Sequence, residues 1–269
     1  MIGRRSTQIL ECVMLDMNTQ ADFCGVDGAH PIANHETLIP TLRRVIAWTM
    51  RNGTPMVSSL DSHRRGDLHA SGHRSCCIDG SRGQAKLAFT ILPSSACIEV
   101  DNTLNVPMNL FACFQQILFR MRDDDLLSNP KADRFLTQLP VREYIVYGNV
   151  METTIKKLVL GLCARHKPVT ILADACGFWD KSVSELALRQ MVAKGAHVLS
   201  IDQLAGRRLA VRRRYARDES IHDTKQPNGN GRRRSGLPPL VPSLQSHLPI
   251  SARPLRMPRK NGRVGPNHP

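Results

Sequence analysis

Apolar and polar positions follow two rhythms along the first 206 residues, and the two rhythms take turns. Short β-branched or apolar runs of strand length are separated by longer stretches whose apolar residues return every three to four positions. That alternation predicts parallel strands joined by crossover helices. The first strand is expected over Leu10 to Met17. A helix follows from Glu36 to Arg51, with Leu38, Ile39, Leu42, Val45, Ile46 and Thr49 on one face and Asn52-Gly53 ending it. The second strand, Pro55 to Leu60, delivers Asp61 to its carboxyl end. From Ser62 to Gly83 the chain is rich in His, Gly, Ser and Arg and has no period, which marks a long functional loop. Short strands are predicted near Lys86 to Ile91 and at Ala96 to Val100, with a helix around Met108 to Gln115. Gln116 to Met121 is the third main strand, and Lys131 to Gln138 a helix closing at Pro140. Glu143 to Tyr147, the fourth strand, turns at Gly148 into a helix from Glu152 to His166. Pro168 to Ala173 is the fifth strand, Ser182 to Lys194 a helix capped by Gly195, and Val198 to Ile201 the sixth strand. There are no internal repeats. In a sheet of this kind ligands bind in the crevice outside the carboxyl ends of the strands. Asn18, Asp61, Met121, Gly148 and Asp174 all fall at those ends.

Composition divides the chain in two. The hydrophobic fraction of 41% in 269 residues is enough for an ordinary buried core. From Arg207 onward, however, 15 Lys and Arg stand against 3 Asp and Glu, so this segment carries almost all of the net charge of +14, together with 9 of the 17 prolines. Apart from Leu209 to Tyr215 it has no apolar periodicity and cannot offset its chain entropy by burial. The expected organisation is one α/β domain over residues 1–206 and a basic, mostly disordered tail over 207–269. Arg212 to Arg214 and Arg232 to Arg234 form two basic triplets. They suit contact with RNA, DNA or an anionic surface, but charge runs are weak motifs. A solvated tail without a specific partner, or a C-terminus extended by a shifted reading frame, is the favoured reading.

No segment approaches the ~20 consecutive apolar residues of a membrane span. Met1 to Leu10 runs into Glu11 and Asp16 without the apolar core of a secretory signal, which points to the cytoplasm and away from the membrane. The eight cysteines (Cys12, Cys24, Cys76, Cys77, Cys97, Cys113, Cys163 and Cys176) have no framework spacing and are expected to be reduced, most of them buried as small apolar residues.

Candidate chemistry gathers in two distant stretches. Met14 to Phe23 reads Met-Leu-Asp-Met-Asn-Thr-Gln-Ala-Asp-Phe, and Ile145 to Ile155 reads Ile-Val-Tyr-Gly-Asn-Val-Met-Glu-Thr-Thr-Ile. Together they resemble the first strand and the nucleophile turn of the isochorismatase-like cysteine hydrolases, the family that includes nicotinamidases. The resemblance spans about Leu10 to Leu204. It implies a Rossmann-like three-layer α/β sandwich with a mainly parallel six-stranded sheet, and a catalytic set of Asp, Lys and Cys in which the thiol forms an acyl enzyme. In the family the first motif is DxQxDF. Gln20, Asp22 and Phe23 match it, which places Asn18 where the base belongs. Asp16, two residues earlier, is expected on the same side of the strand but about 6–7 Å further from the carboxyl edge, out of reach of that role and held by backbone donors. A second family pattern, K-x-x-x-D-x-F-x-N-P, aligns with Asp125, Leu127 in place of the Phe, Asn129 and Pro130, so Met121 occupies the Lys position, with Arg120 and Arg122 flanking it on the other face. In GxxxxxC, Gly148 is the glycine and Thr154 stands at the Cys position. Thr154 is read first as a helix N-terminal residue. Cys176, just past a strand end, is the likeliest relocated thiol, though a buried structural cysteine is the commoner outcome.

The resemblance also implies a metal loop. The family pattern DxHx5H is matched by Asp61, His63 and His69, and Cys76 replaces the histidine of PPHCxxGTPG, with His73 a competing ligand. Asp, two His and Cys suit tetrahedral Zn²⁺ or another divalent metal; a merely polar, exposed loop is the alternative. Asp79, Asp101 and Asp174 lie near the same edge and serve either the site or the fold. Phe23, Gly148, Val150 and Met151 are the expected ligand-pocket residues. The favoured function is a divergent family member that lacks the cysteine mechanism and keeps a small-molecule pocket for binding or regulation. The alternatives are a metal-dependent hydrolase of a small amide or related carbonyl compound, and a nucleic-acid-associated protein acting through the tail. A homo-oligomer is expected, since relatives are usually oligomeric.

Overall fold

The computed structural model describes residues 9–66, 76–101 and 103–207. The expectations placed on His69, His73 and the basic tail beyond residue 207 therefore lie outside the described residues. Seven strands, β1 (Val13–Met17), β2 (Met56–Asp61), β3 (Ser95–Ile98), β4 (Gln116–Met121), β5 (Tyr144–Gly148), β6 (Val169–Cys176) and β7 (His197–Leu199), form one sheet. Their order is β3-β4-β2-β1-β5-β6-β7, and every ladder is parallel. Ala96 to Val100 is thus a true strand, and the sheet has seven members instead of six.

The helices cover both faces. On one side α2 (His35–Asn52) and α6 (Ile201–Gly206) pack with the short α1 (Ala21–Cys24); on the other lie α3 (Pro130–Gln138), α4 (Lys156–Ala164) and α5 (Lys181–Ala193). Because β1 is covered on both faces, all five of its residues are buried, including Asp16. Val13, Leu15 and Met17 join the core under α3 and α4, and Met14 joins the core under α2. Gly53, at φ 58°, ends α2 in the left-handed cap that its Asn-Gly sequence predicts. Leu158, Val159 and Leu162 of α4 are spent on the chain's own core.

Three expected elements differ. Lys86 to Ile91 makes one antiparallel bridge, Lys86 to Gln20, and then a 3-10 turn at Ala88–Thr90. The Lys86 side chain is drawn inward to Asp16, and the Leu87 amide bonds to Thr19 O, so this segment pairs with the coil after β1 and not with the sheet. Met108 to Gln115 is a single 3-10 turn, Leu110–Ala112, because none of these residues is buried and no apolar stripe sustains a longer helix. The helix after Gly148 begins with a π turn, Met151–Ile155, before α4. No helix among the described residues is long and apolar enough to cross a membrane.

Candidate functional site

The strand order reverses at β1: the chain leaves it toward β2 and β4 on one side and returns to β5 on the other. The carboxyl ends of β1 and β5 therefore form the crevice where a parallel sheet binds ligands. Gly148 makes the close approach possible. It adopts φ 108°, and a Cβ there would lie 2.1 Å from Met17 O. Its neighbour Asn149, wholly buried, donates from Nδ2 to Asn18 O and Cys24 Sγ, each at 3.0 Å.

Asn18 and Thr154 do come together. Asn18 Nδ2 donates to Thr154 Oγ1 at 3.4 Å, and Asn18 Oδ1 accepts from Ser59 Oγ at 2.5 Å. Thr154 does not act as a helix cap. Met121 is fully buried in the apolar core at the end of β4, where it is the ladder partner of Asp61. All three positions are neutral.

Asp16 is not on the same side as Asn18. It accepts from Ser58 Oγ at 3.0 Å, whereas Asn18 bonds to Ser59, and consecutive residues of β2 point to opposite faces. The expectation of a shared face fails because Asn18 has φ 44°, which breaks the strand's alternation at its last step. Nor do backbone donors hold Asp16. Its partners are side chains: Lys86 Nζ at 3.0 Å, Ser58 and Thr19 Oγ1 at 2.9 Å. Lys86 was not foreseen. The signal was an aspartate inside an apolar strand, which requires a counter-charge somewhere.

The expected metal donors converge as far as they are described. Asp61, His63 and Cys76 are buried, and each offers a ligand atom within 4.8 Å of the others. Tetrahedral zinc would ask for separations of about 3.5 Å, so the donors need only draw in slightly. His63 Nε2 lies 2.7 Å from Asp61 Oδ1. Backbone bonds from His63 N to Cys77 O and from Asp79 N to His63 O join the two ligand-bearing segments.

The first-strand motif explains why they converge. Gln20 accepts from Asp61 N at 2.8 Å and donates to Asp61 O at 2.9 Å and Gln84 O at 2.8 Å. Asp22 accepts from Cys77 N at 2.6 Å and Ala29 N at 3.0 Å, and a Cβ on Gly83 would collide with its carboxylate at 2.1 Å. The two polar side chains of the motif thus fix the two halves of the candidate metal cluster. Cys76 is held below its ordinary thiol value, chiefly by a hydrogen bond from Cys77, which outweighs burial. The same contact, with burial, pushes Cys77 far up.

Arg120 and Arg122 do not replace a catalytic lysine. Arg122 Nη1 bonds to Asp79 Oδ2 at 2.8 Å and Ser62 O at 2.9 Å, while Arg120 pairs with Glu99 at 2.9 Å and Asp79 at 3.4 Å. Asp79 serves these arginines and Ser62; Asp101 pairs with Lys131, and Asp174 accepts from Ile201 N. Cys24 and Cys176 are not activated thiols: burial raises Cys24 to about 11 and Cys176 higher, the latter bonded to Leu172 O at 3.2 Å. Of the expected pocket residues, Phe23 and Val150 are buried in the core under α2 and Met151 in the core under α3 and α4, so the structure does not gather them on one face. A shallow cleft of about 240 Å³ is lined by Ala29, His30, Pro31 and Trp179.

The family model described as Isochorismatase domain matches residues 12–203. No curated protein matches the chain. Among solved structures, a pyrazinamidase of Pyrococcus horikoshii in complex with zinc is 16% identical, with a TM-score of 0.57 over 71% of this chain and 99% of that one. A nicotinamidase/pyrazinamidase from Bacillus subtilis is 14% identical, with a TM-score of 0.58 over 71% and 100%. An isochorismatase family protein from Desulfovibrio vulgaris is 16% identical, with a TM-score of 0.60 over 73% and 97%. At these identities the likeness is one of fold.

Proposed function

Because the chain belongs to the isochorismatase family, we propose that it is a member in which binding of a small carbonyl compound at the β1–β5 crevice has replaced cysteine hydrolysis. The observation that carries this reading is the neutral row Ser59, Asn18 and Thr154. A threonine hydroxyl becomes a nucleophile only when a base takes its proton. The Asn18 amide donates to Thr154 and its oxygen already accepts from Ser59, so it has no capacity for that proton. The nearest strand carboxylate, Asp16, is neutralised by Lys86 on the opposite face. What the row does offer is polarity without charge, suited to an amide or carboxamide held by hydrogen bonds beside Gly148. The proposed compartment is the cytoplasm, where the thiols stay reduced.

The buried donors Asp61, His63 and Cys76 would hold a divalent metal, zinc being the best match to a carboxylate, imidazole and thiolate set. When bound, such an ion supplies Lewis acidity toward water or a carbonyl oxygen. That donor set favours a second reading, a metal-dependent hydrolase of small amides.

One paired measurement separates the two: zinc content by elemental analysis, and ammonia release from nicotinamide and a panel of small amides before and after chelation. No turnover in either state, with a thermal shift on adding nicotinamide or a related carboxamide, is the expected result. Stoichiometric zinc with chelator-sensitive turnover would overturn it in favour of the second reading.

A further inference from the structure

Cys76 and Cys77 are adjacent, and both are buried, at 6% and 0% exposure. Neighbouring side chains in an extended chain point to opposite sides, which would keep two such thiols apart. Here Cys77 has φ 50°, a left-handed conformation that a residue with a Cβ adopts at a cost, and both side chains are buried in the same core cluster, under α2. The conformation is held from outside. Asp22 Oδ2 takes the Cys77 amide at 2.6 Å, and the Cys77 carbonyl accepts from His63 N at 3.0 Å. Only Cys76 of the pair belongs to the metal cluster with Asp61 and His63. One thiol is thus a metal ligand, and the next residue holds a second thiol against it that has no place in that cluster.

We propose that Cys76 and Cys77 form a reversible vicinal disulfide with hydrogen peroxide as oxidant, and that this reaction switches the metal site off. The Cys76 sulfur attacks one peroxide oxygen. The S–O bond forms, the O–O bond breaks, and the departing hydroxide takes the Cys76 proton and leaves as water. The Cys77 sulfur then attacks the sulfur of the resulting sulfenic acid; the S–S bond forms, the S–O bond breaks, and the second hydroxide leaves as water with the Cys77 proton. Two thiols are oxidised by two electrons in total, and one peroxide is reduced to two waters. A thiolate is the metal ligand and a disulfide sulfur is not, so the product leaves only Asp61 and His63 of the described donors. A dithiol reductant reverses the step. Metal bound at Cys76 competes with the peroxide for the same sulfur, so a loaded site is protected. The switching half of this inference rests on the metal reading above; the disulfide does not.

The sequence makes the test clean, because trypsin cleavage after Arg74 and Arg82 releases both cysteines, and no others, on one peptide. The full chain, loaded with zinc or metal-free, is treated with hydrogen peroxide, and the mass of that peptide and the zinc released to a chromogenic chelator are followed together. The expected result is loss of two hydrogens from the peptide, restored by dithiothreitol, forming at least tenfold faster without zinc and accompanied by zinc release from the loaded protein. In Cys77→Ser, which keeps the Cys76 ligand, the peptide gains oxygen instead of losing hydrogen, and further peroxide carries Cys76 past the sulfenic acid to the sulfinic acid, after which zinc release no longer reverses with dithiothreitol. Peptide disulfide in a protein that never binds zinc would remove the metal reading and the switch but keep the oxidation site. A wild-type peptide that only gains oxygen, as in Cys77→Ser, would overturn the proposal whatever the zinc content.

Discussion

Asn18 and Thr154 hydrogen-bond to each other through an amide and a hydroxyl, at the two positions where the family resemblance calls for a carboxylate and a thiol. A hydrogen bond between neutral groups in a buried place is worth about 1 kcal/mol net, but leaving the amide donor unsatisfied costs about 1–3 kcal/mol. Thr154→Ala is therefore expected to lower the unfolding free energy by about 1–3 kcal/mol in urea titration, while Thr154→Ser stays close to wild type. Thr154→Cys is expected to fold and yet release no ammonia from nicotinamide, since a thiol beside Asn18 and Met121 has neither a base nor a cation to ionise it. Turnover by that single variant would show that the crevice supplies activation from another group.

The buried pair of Lys86 and Asp16 gives a sharper stability test, because the two side chains are 1% and 0% exposed. Removing one partner strands the other charge, at a cost of about 3–5 kcal/mol, whereas replacing both with apolar groups of similar volume is often close to neutral. Lys86→Met and Asp16→Leu should each shift the denaturation midpoint strongly downward, and the double variant should recover most of the loss. Additive losses in the double variant would mean that Ser58 and Thr19 hold Asp16 without help from Lys86.

These contacts also show where the sequence was legible. The string Asn18, Gln20, Asp22, Phe23 sits on one short segment, so linear spacing alone placed it, and the same holds for Asp61 and His63 at the end of β2. Strand alternation misplaces the face of Asn18 because it assumes extended backbone, and φ 44° ends that alternation at this residue. Lys86 was hidden for another reason. Its role depends on which way one side chain turns, from a segment that imitates a strand in composition but bridges to the coil after β1. Gln20 and Asp22 were visible as letters of a motif, while their work, holding the backbones of Asp61 and Cys77, is three-dimensional.

Gln20 bonds to both the backbone N and O of Asp61, a candidate metal donor, and so fixes it from both sides. Residues that orient metal ligands typically contribute 10–100-fold to affinity. Gln20→Leu is expected to weaken zinc binding by about that factor in a competition titration with a chromogenic chelator, with Asp61, His63 and Cys76 all still present. An unchanged affinity would place the control of Asp61 in β2 itself.

Asp79 makes a pH prediction with a definite sign. Burial disfavours its charged form, but hydrogen bonds from Ser62, Arg122 and Gln84, with the Arg122 charge, prevail and bring it down to about 2. A carboxyl with a folded value below its unfolded value of about 3.9 contributes stability in full above that unfolded value. The contribution fades as pH falls through the folded value. The urea midpoint of wild type should therefore exceed that of Asp79→Asn by a constant margin above about pH 5, and the margin should close between about pH 4 and pH 2. A margin that persists unchanged at pH 2 would assign it to the shape of the side chain and not to its charge.

Two glycines with positive φ separate backbone strain from steric overlap. Gly53, at φ 58°, has nothing within 4 Å of where a Cβ would stand, whereas at Gly148, at φ 108°, that Cβ would lie 2.1 Å from Met17 O and 2.8 Å from Met17 N. Gly53→Ala carries only the left-handed penalty, about 1–2 kcal/mol, and should fold with a modestly lower midpoint. Gly148→Ala must in addition push β5 away from β1, because the obstructing atoms are backbone and have no rotamer to escape into. Its cost is expected to exceed about 4 kcal/mol, the range reserved for disruption of a packed core. The separation of β1 from β5 would also break the Asn149 bond to Asn18 O. If Gly148→Ala instead melts like Gly53→Ala, the crevice between the strands is wide enough to yield, and the proposed pocket is more open than the close contact of Gly148 with Met17 implies.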